Sequence, residues 1–373
     1  PQHLFGGWIF SRDTAGDVHE RGPNEPCSGA TGRVQNPFCT RSAKSQAIDS
    51  LPSSFLKHKT FCLSILPPCH ALMPAYATRL LTGVFLSFFL FAFHTDVRAQ
   101  APSESVRVLF IGAHPDDVDL KAGGTAALLA KEGHAVKFVS LTNGDAGHYN
   151  MGGGMLAKRR RAEAKEAARR LRIDEYEVLH YHDGELMPTL EVRRDVIRLI
   201  REWDADVVVG HRPNDYHPDH RYAGRVVQDA AYMVQVPNVL PKVEPTEGNP
   251  VFLYFQDRFQ KPYPFEHDIV VAIDDVVGRK VSALDAHESQ FYEWLPWVSD
   301  ALEEVPEDDS ARQDWLRERW TSPMSDAARD GLEKWYDDRQ VEEAQYAESF
   351  QVAEYGHQPT DEEIQRLFPM LAD

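Results

Sequence analysis

Cysteine is scarce: the 373 residues contain four, at positions 27, 39, 62 and 69, and none thereafter. Beyond residue 69 there is no disulfide, no thiolate metal site and no cysteine nucleophile to consider. Positive charge is also in deficit, with 40 Lys and Arg against 58 Asp and Glu and a net charge of −18. No broad basic face exists to neutralise phosphates, which argues against nucleic acid as a partner. Long apolar runs are nearly missing; the one at 80–93 falls short of the roughly 20 residues that span a bilayer, which excludes a multipass membrane protein. No strand-like run leads into G-x-G-x-x-G, so a dinucleotide-dependent dehydrogenase lacks its phosphate-binding turn. With 42% hydrophobic and 26% charged residues, the chain reads as a soluble globular protein able to build its own core.

Charge divides the chain near residue 100. Residues 1–100 hold nine basic and six acidic residues, and the remainder 31 and 52. The first methionine, Met73, opens a short segment carrying Arg79, then LLTGVFLSFFLFAF, then small residues around Ala99 and Ala101. This order of basic start, apolar stretch and cleavage-like site is that of a secretory signal peptide over 73–101. Residues 1–72 show no helix or strand period and are read as upstream translation without structure of its own. The expected mature protein is exported, periplasmic or extracellular, and keeps no membrane span.

From residue 106 apolar runs alternate with helical patterns. Strands are expected at 106–113, 135–142, 176–181 and 205–210, and helices at 123–133, 156–171, 190–203 and from 218 to about 232. Such alternation implies an α/β fold with a mostly parallel sheet and helices on both faces. Two more runs, 251–255 and 268–274, extend or edge the sheet, followed by a helix over 276–290. The aromatic cluster 291–297 is assigned to packing. Residues 301–373, with 20 acidic and seven basic residues, read as a helical, solvated and peripheral extension of a domain spanning 102–300.

Two clusters carry the chemistry. The first strand ends in His114-Pro115-Asp116-Asp117, and His217-Pro218-Asp219-His220 follows the strand at 205–210. Sheets of this kind bind ligands beyond the carboxyl ends of their strands, so both clusters face one site. Two imidazoles and one carboxylate form a common catalytic zinc set: His114 and Asp117 converge across a tight turn, and His220 supplies the third donor. Asp116 and His217 then stand beside the metal without ligand duty, as a base and an electrostatic stabiliser for amide hydrolysis require. Eight other histidines after residue 100, His211 and His287 among them, are read as ordinary surface or core groups.

HPDD after the first strand, TNGDAG after the second and NDYHPDH after a later one resemble the PIG-L or LmbE-like family of metal-dependent N-deacetylases over about residues 106–290. The resemblance implies a Rossmann-like domain without nucleotide, and Zn2+, with Fe2+ as a substitute. It also implies removal of acetyl groups from small-molecule N-acetylglucosamine-type sugars or glycoconjugates. By motif position it makes His114, Asp117 and His220 metal ligands, Asp116 the general base and His217 the stabiliser or acid. Asp145, Arg160 and Asp183 fall on its substrate side, and Tyr216, beside His217, is placed to meet a developing oxyanion. Val118 stands where the family usually has Glu, with Asp119 one position on, which puts the outer support of the ligands in question. Arg172 stands where a glycine usually ends a helix. The competing expectations are a zinc amidase for another small amide and a metal-containing carbohydrate-binding protein without turnover.

Overall fold

The computed structural model describes residues 105–321 and 323–371. Residues 1–104, with the expected signal peptide and the segment before it, lie outside the described residues. The chain runs β1 (Arg107–Gly112), α1 (Asp117–Lys131), β2 (Ala135–Thr142), α2 (Gly153–Leu171), β3 (Glu175–Tyr181), α3 (Leu190–Trp203), β4 (Val207–Gly210), α4 (Pro218–Met233), β5 (Val251–Phe255) and β6 (Ile269–Ala272). It continues through α5 (Val277–Ala286), a π-helical turn (Ser289–Trp294), α6 (Leu295–Val298), α7 (Asp309–Trp320), α8 (Asp326–Leu332), α9 (Asp338–Glu343), β7 (Ala347–Gly356) and α10 (Asp361–Leu367). No described helix is long and apolar enough to cross a membrane.

The seven strands form one sheet in the order β3-β2-β1-β4-β5-β7-β6. The first five pair in parallel, and β7 runs antiparallel to both neighbours. Alternation along β1 shows how both faces are covered. Val108 and Phe110 join a core with α1, α2 and α5, while Leu109 and Ile111 join another with α3 and α4. Burial on both sides explains why the inner strands are apolar throughout rather than alternating. Helix α3 shows the complementary logic: Val192, Val196, Ile197 and Ile200 repeat on its buried face, and the Thr189 side chain caps it by accepting from Val192 N.

Three expectations are corrected. Helix α1 starts at Asp117, six residues before the expected 123, because its first turn is acidic rather than apolar and so escapes a periodicity reading. Gly124 lies within it, where a Cβ would come 2.8 Å from Ile273 side-chain atoms, so the glycine pair serves close packing instead of starting the helix. The helix expected over 276–290 stops at Ala286 and passes into the π-helical turn. The acidic extension is helical over α7 to α10, but it is not merely peripheral, since β7 inserts between β5 and β6. Buried Glu348 on β7 accepts from Gly124 N at 2.9 Å, from Thr125 N and Oγ1 at 2.7 Å each, and pairs with Lys280 Nζ at 2.7 Å. That carboxylate fastens β7 to α1 and α5.

Candidate active site

The chain leaves β1 toward β2 and β3 on one side, and continues from β4 toward β5 on the other. A crevice opens at such a reversal beyond the carboxyl ends of the strands, and both histidine clusters lie there. Asp117, first in α1, folds its carboxylate back over the turn, where Oδ2 accepts from Ala113 N at 2.9 Å and His114 N at 2.8 Å. His220 sits in the first turn of α4, whose N-cap is His217 and whose first residue is Pro218. His220 Nε2 comes within 3.2 Å of His114 Nδ1 and 3.3 Å of Asp117 Oδ1, and His114 Nδ1 within 3.5 Å of Asp117 Oδ2. Donor atoms on a tetrahedral cation with bonds near 2.0–2.2 Å stand about 3.3–3.5 Å apart. His114 Nδ1 and His220 Nε2 stand at about that spacing, and Asp117 approaches each of them through a different oxygen, while His217 joins His114 and His220, and His211 joins Asp117 and His220, in groups close enough to hold one ion.

The remaining nitrogen of each imidazole is also held. His220 Nδ1 meets Asp215 Oδ1 at 3.0 Å, and His114 Nε2 meets Asp183 Oδ1 at 3.1 Å and Asp219 Oδ2 at 3.3 Å. Carboxylates behind ligating histidines set tautomer and ring orientation. Asp219 also accepts from Gly184 N at 2.7 Å and Leu186 N at 3.2 Å, tying the turn after β3 to α4. Burial alone would raise the Asp117 carboxyl, but His220, His211 and His114 hold it well below its ordinary value. Burial would likewise raise Asp215, and His220 brings it down to about 2. His114 and His220 resist the lowering effect of burial through these carboxylates and stay raised. Asp117, Asp183 and Asp215, all held below their ordinary value beside two imidazoles, make a setting that favours a proton or a cation among them.

Asp116 takes no part in that donor set. Arg160, 2% exposed, donates from Nη2 to Asp116 Oδ1 at 2.7 Å. Burial raises the Asp116 carboxyl, and Arg160 only partly offsets it. His217 Nδ1 accepts from Asp219 N at 3.2 Å as the α4 cap. Burial, with His114 and His220 nearby, lowers His217 to about 4, so its imidazole is neutral with the proton on Nε2. Around these groups lies a cleft of about 280 Å³ that includes Asp183, Tyr216, Gln290, Trp294 and Leu295 in its walls.

Residues 109–231 match the family described as PIG-L: GlcNAc-PI de-N-acetylase. The chain is 33% identical over 215 residues to a diacetylchitobiose deacetylase of Thermococcus kodakarensis, covering 54% of this chain and 78% of that protein. It is 30% identical to a probable N-acetyl-alpha-D-glucosaminyl L-malate deacetylase 2 of Bacillus cereus, covering 57% and 96%. The chain belongs to the PIG-L family of N-deacetylases. The solved structure of N,N'-diacetylchitobiose deacetylase from Pyrococcus horikoshii, complexed with its inhibitor MPG, aligns with a TM-score of 0.51 at 26% identity, over 72% of this chain and 94% of that one.

In this PIG-L deacetylase the crevice brings together His114, Asp116, Asp117, Arg160, Asp183, Tyr216, His217 and His220, all expected from the sequence. Asp145 does not line the cleft. Its carboxylate is taken by His182 Nδ1 at 2.7 Å and Asp183 N at 3.1 Å, which joins the glycine-rich loop to the turn after β3. Arg160 belongs to no helix surface: a Cβ on Gly144 would come 2.5 Å from its Nη1, so this glycine makes room for the guanidinium. Val118 lies in the core, and Asp119 is fully buried beside Tyr176 OH at 3.0 Å and His287 Nε2 at 3.2 Å. The outer support of the ligands comes instead from Asp215, Asp219 and Asp183.

Sequence reasoning missed four groups. Asp215 was visible inside NDYHPDH and Asp219 inside HPDH, but neither carried an assignment. His211, read as ordinary, is buried with Nε2 3.2 Å from Asp117 Oδ2 and its ring stacked on His220 at 4.3 Å; burial lowers it to about 4. Its position after the last residue of β4 was the available signal, since His114 stands just beyond β1. Trp294, assigned to packing with its neighbours, reaches the cleft wall, whereas Phe291 and Tyr292 do pack in a core with α5 and α7.

Proposed function

We propose that this protein is an exported, zinc-dependent hydrolase that removes the acetyl group from an N-acetylglucosamine-type sugar or glycoconjugate. The observation that carries the reading is the approach of His114 and His220 to 3.2 Å of each other and of each to one oxygen of Asp117, at 3.5 and 3.3 Å, with Asp116 alongside. Zinc suits two imidazoles and a carboxylate, and ferrous iron accepts the same donors. When bound there, such a cation supplies Lewis acidity to the acetamide carbonyl and acidifies water. The names of the two curated relatives, deacetylases of chitobiose and of a glucosaminyl malate, support the substrate class. Export rests on the order of residues 73–101 and is tested by sequencing the amino terminus of the secreted protein.

The residues divide the labour by what is left free on each. Arg160 occupies Asp116 Oδ1, leaving Oδ2 to accept a proton from the attacking water. Burial keeps that carboxylate more basic than an exposed one, which suits a base that must later give the proton up. His217, with its proton on Nε2, donates to the carbonyl oxygen as negative charge grows there. When the C–N bond breaks, Asp116 returns its proton to the amine and acetate departs. Asp183 and Tyr216 border the cleft where sugar hydroxyls would lie.

The test is metal analysis and acetate release measured together, on protein beginning near residue 102, with a small panel of N-acetylglucosamine conjugates. About one zinc or iron per chain is expected, with acetate release abolished by chelator and restored by metal. Absence of bound metal would overturn the ligand assignment. Stoichiometric metal with no acetate from any conjugate would overturn the substrate class.

A further inference from the structure

One wall of the cleft, formed by Gln290, Trp294 and Leu295, is built unlike the rest. After α5 the chain widens into the π-helical turn, a form found often at functional sites, and the turn is fastened to the glycine-rich loop 143–152. Gln290 Nε2 donates to Gly147 O at 3.1 Å, and Glu293 meets His148 Nε2 at 2.7 Å and both Nη atoms of Arg159 at 2.7 Å. Outside these bonds two rings of the loop and two from Trp294 and α6 stack in one column. His148 stacks on Tyr149 at 4.6 Å, Tyr149 on Trp297 at 5.4 Å and Trp297 on Trp294 at 5.4 Å, all within 20° of parallel. Trp294 ends the column in the cleft wall. Tyr149 and Trp297 are 38% and 47% exposed beyond it.

A four-ring column holds Trp294 more firmly than a lone indole, and Trp297 already covers one of its faces. Trp294 brings a flat, apolar indole to a cleft whose lining also holds carboxylates, imidazoles and one guanidinium. A pyranose ring matches that contrast, with a hydroxyl rim for polar groups and a C–H face for an aromatic plane. An acyl chain or apolar peptide would call for a concave apolar slot instead. Size adds a second constraint. A cleft of about 280 Å³ lies at the small end of the roughly 300–1,000 Å³ typical of ligand sites, room for one N-acetylated sugar. A second sugar must lie outward, along the aromatic wall.

We propose that Trp294, backed by Trp297 and Tyr149, is the stacking platform for the sugar adjoining the one that is deacetylated, and that it makes the enzyme selective for N-acetylglucosamine oligosaccharides over the free monosaccharide. The inference rests on the proposed deacetylase reading and specifies its substrate. The test compares kcat/KM for N-acetylglucosamine and its β1,4-linked disaccharide in the metal-loaded parent, Trp294→Ala, Trp294→Phe and Tyr149→Ala. The parent is expected to prefer the disaccharide. Trp294→Ala should lose about tenfold on the disaccharide, mainly through KM, with a much smaller change on the monosaccharide. Trp294→Phe should recover most of the loss, and Tyr149→Ala, which loosens the column from outside the cleft, should lose part of it. Fluorescence titration of the metal-loaded Asp116→Asn protein with the disaccharide, with and without Trp294→Ala, reads the same difference as binding without turnover. Equal losses on both sugars, or a parent with no preference, would overturn the platform while leaving the deacetylase reading intact. Neither sugar being bound or hydrolysed would overturn both.

Discussion

His220 can turn Nε2 toward His114 and Asp117 because Asp215 holds its Nδ1, whereas Asp116 touches neither of the other two donors' shared centre and answers instead to Arg160. These two aspartates therefore separate metal retention from chemistry. Asp215→Asn keeps the shape but weakens the acceptor behind His220. Its metal dissociation constant should rise about 10–100-fold, with kcat at saturating metal nearly kept. Asp116→Asn should bind metal as the parent does and lose roughly 10²–10⁴-fold in kcat. Metal titration beside acetate release reads both, and the same pattern in the two variants would refute the division. The Asp145–His182 contact gives a pH-dependent counterpart away from the donors. Hydrogen bonding and charge from Asp145 raise His182 above 6.5; burial would raise Asp145, but His182 and the Asp183 amide lower it below 3.8. The carboxylate's contribution is complete above 3.8 and fades as pH falls through its lowered value. The histidine's is complete below 6.5 and fades as pH rises through its raised value. The contact is thus fully formed between the two. NMR titration of His182 should give a midpoint above 6.5 that returns to about 6.5 in Asp145→Asn; an unmoved midpoint would exclude the pairing in solution.

Helix α2 carries Arg160 to the site, and it ends on Arg172 with φ of +64°, in the left-handed region, the backbone N–H returning to Ala168 O. A side chain there costs roughly 1–2 kcal/mol that glycine does not incur, partly offset by glycine's greater freedom when unfolded. Arg172→Gly should therefore stabilise by about 1 kcal/mol, raising Tm by roughly 2–4 °C with unchanged kcat. A lower Tm in thermal melts would show that exposed Arg172 makes contacts worth more than the strain. This helix end was readable because the periodic pattern runs straight into an odd residue, and α3 was readable at both ends because Thr189 and its apolar repeat agree. Strand β7 was not. Its run Glu348-Ser349-Phe350-Gln351 puts polar groups in the sheet interior, and only the partners Gly124, Thr125 and Lys280, far away in sequence, make Glu348 a buried residue. The start of α1 was hidden for the same reason: Asp117 is spent on backbone amides and neighbouring imidazoles, so its turn shows no apolar period.

At the scale of the molecule, the site exists because the strand order reverses between β1 and β4, bringing residues about a hundred positions apart within 3.5 Å. The two histidine motifs were legible because each stands at the end of an apolar strand. The carboxylates behind them were not, since Asp183 and Asp219 meet His114 only once three separate strand ends converge. That convergence places a cost at the centre of the fold, where Asp117, Asp183, Asp215 and Asp219 crowd two imidazoles. A bound divalent ion relieves it in the native state alone, so the whole protein should melt higher with metal than without. At free metal 100-fold above its dissociation constant the gain is about 2.7 kcal/mol, or roughly 5–10 °C for a domain of this size. Calorimetry of chelator-treated and zinc-restored protein should show that rise in the parent and in Asp116→Asn, and lose it in His114→Ala. If parent and His114→Ala melt alike under both conditions, the ion is not held where β1 and β4 diverge.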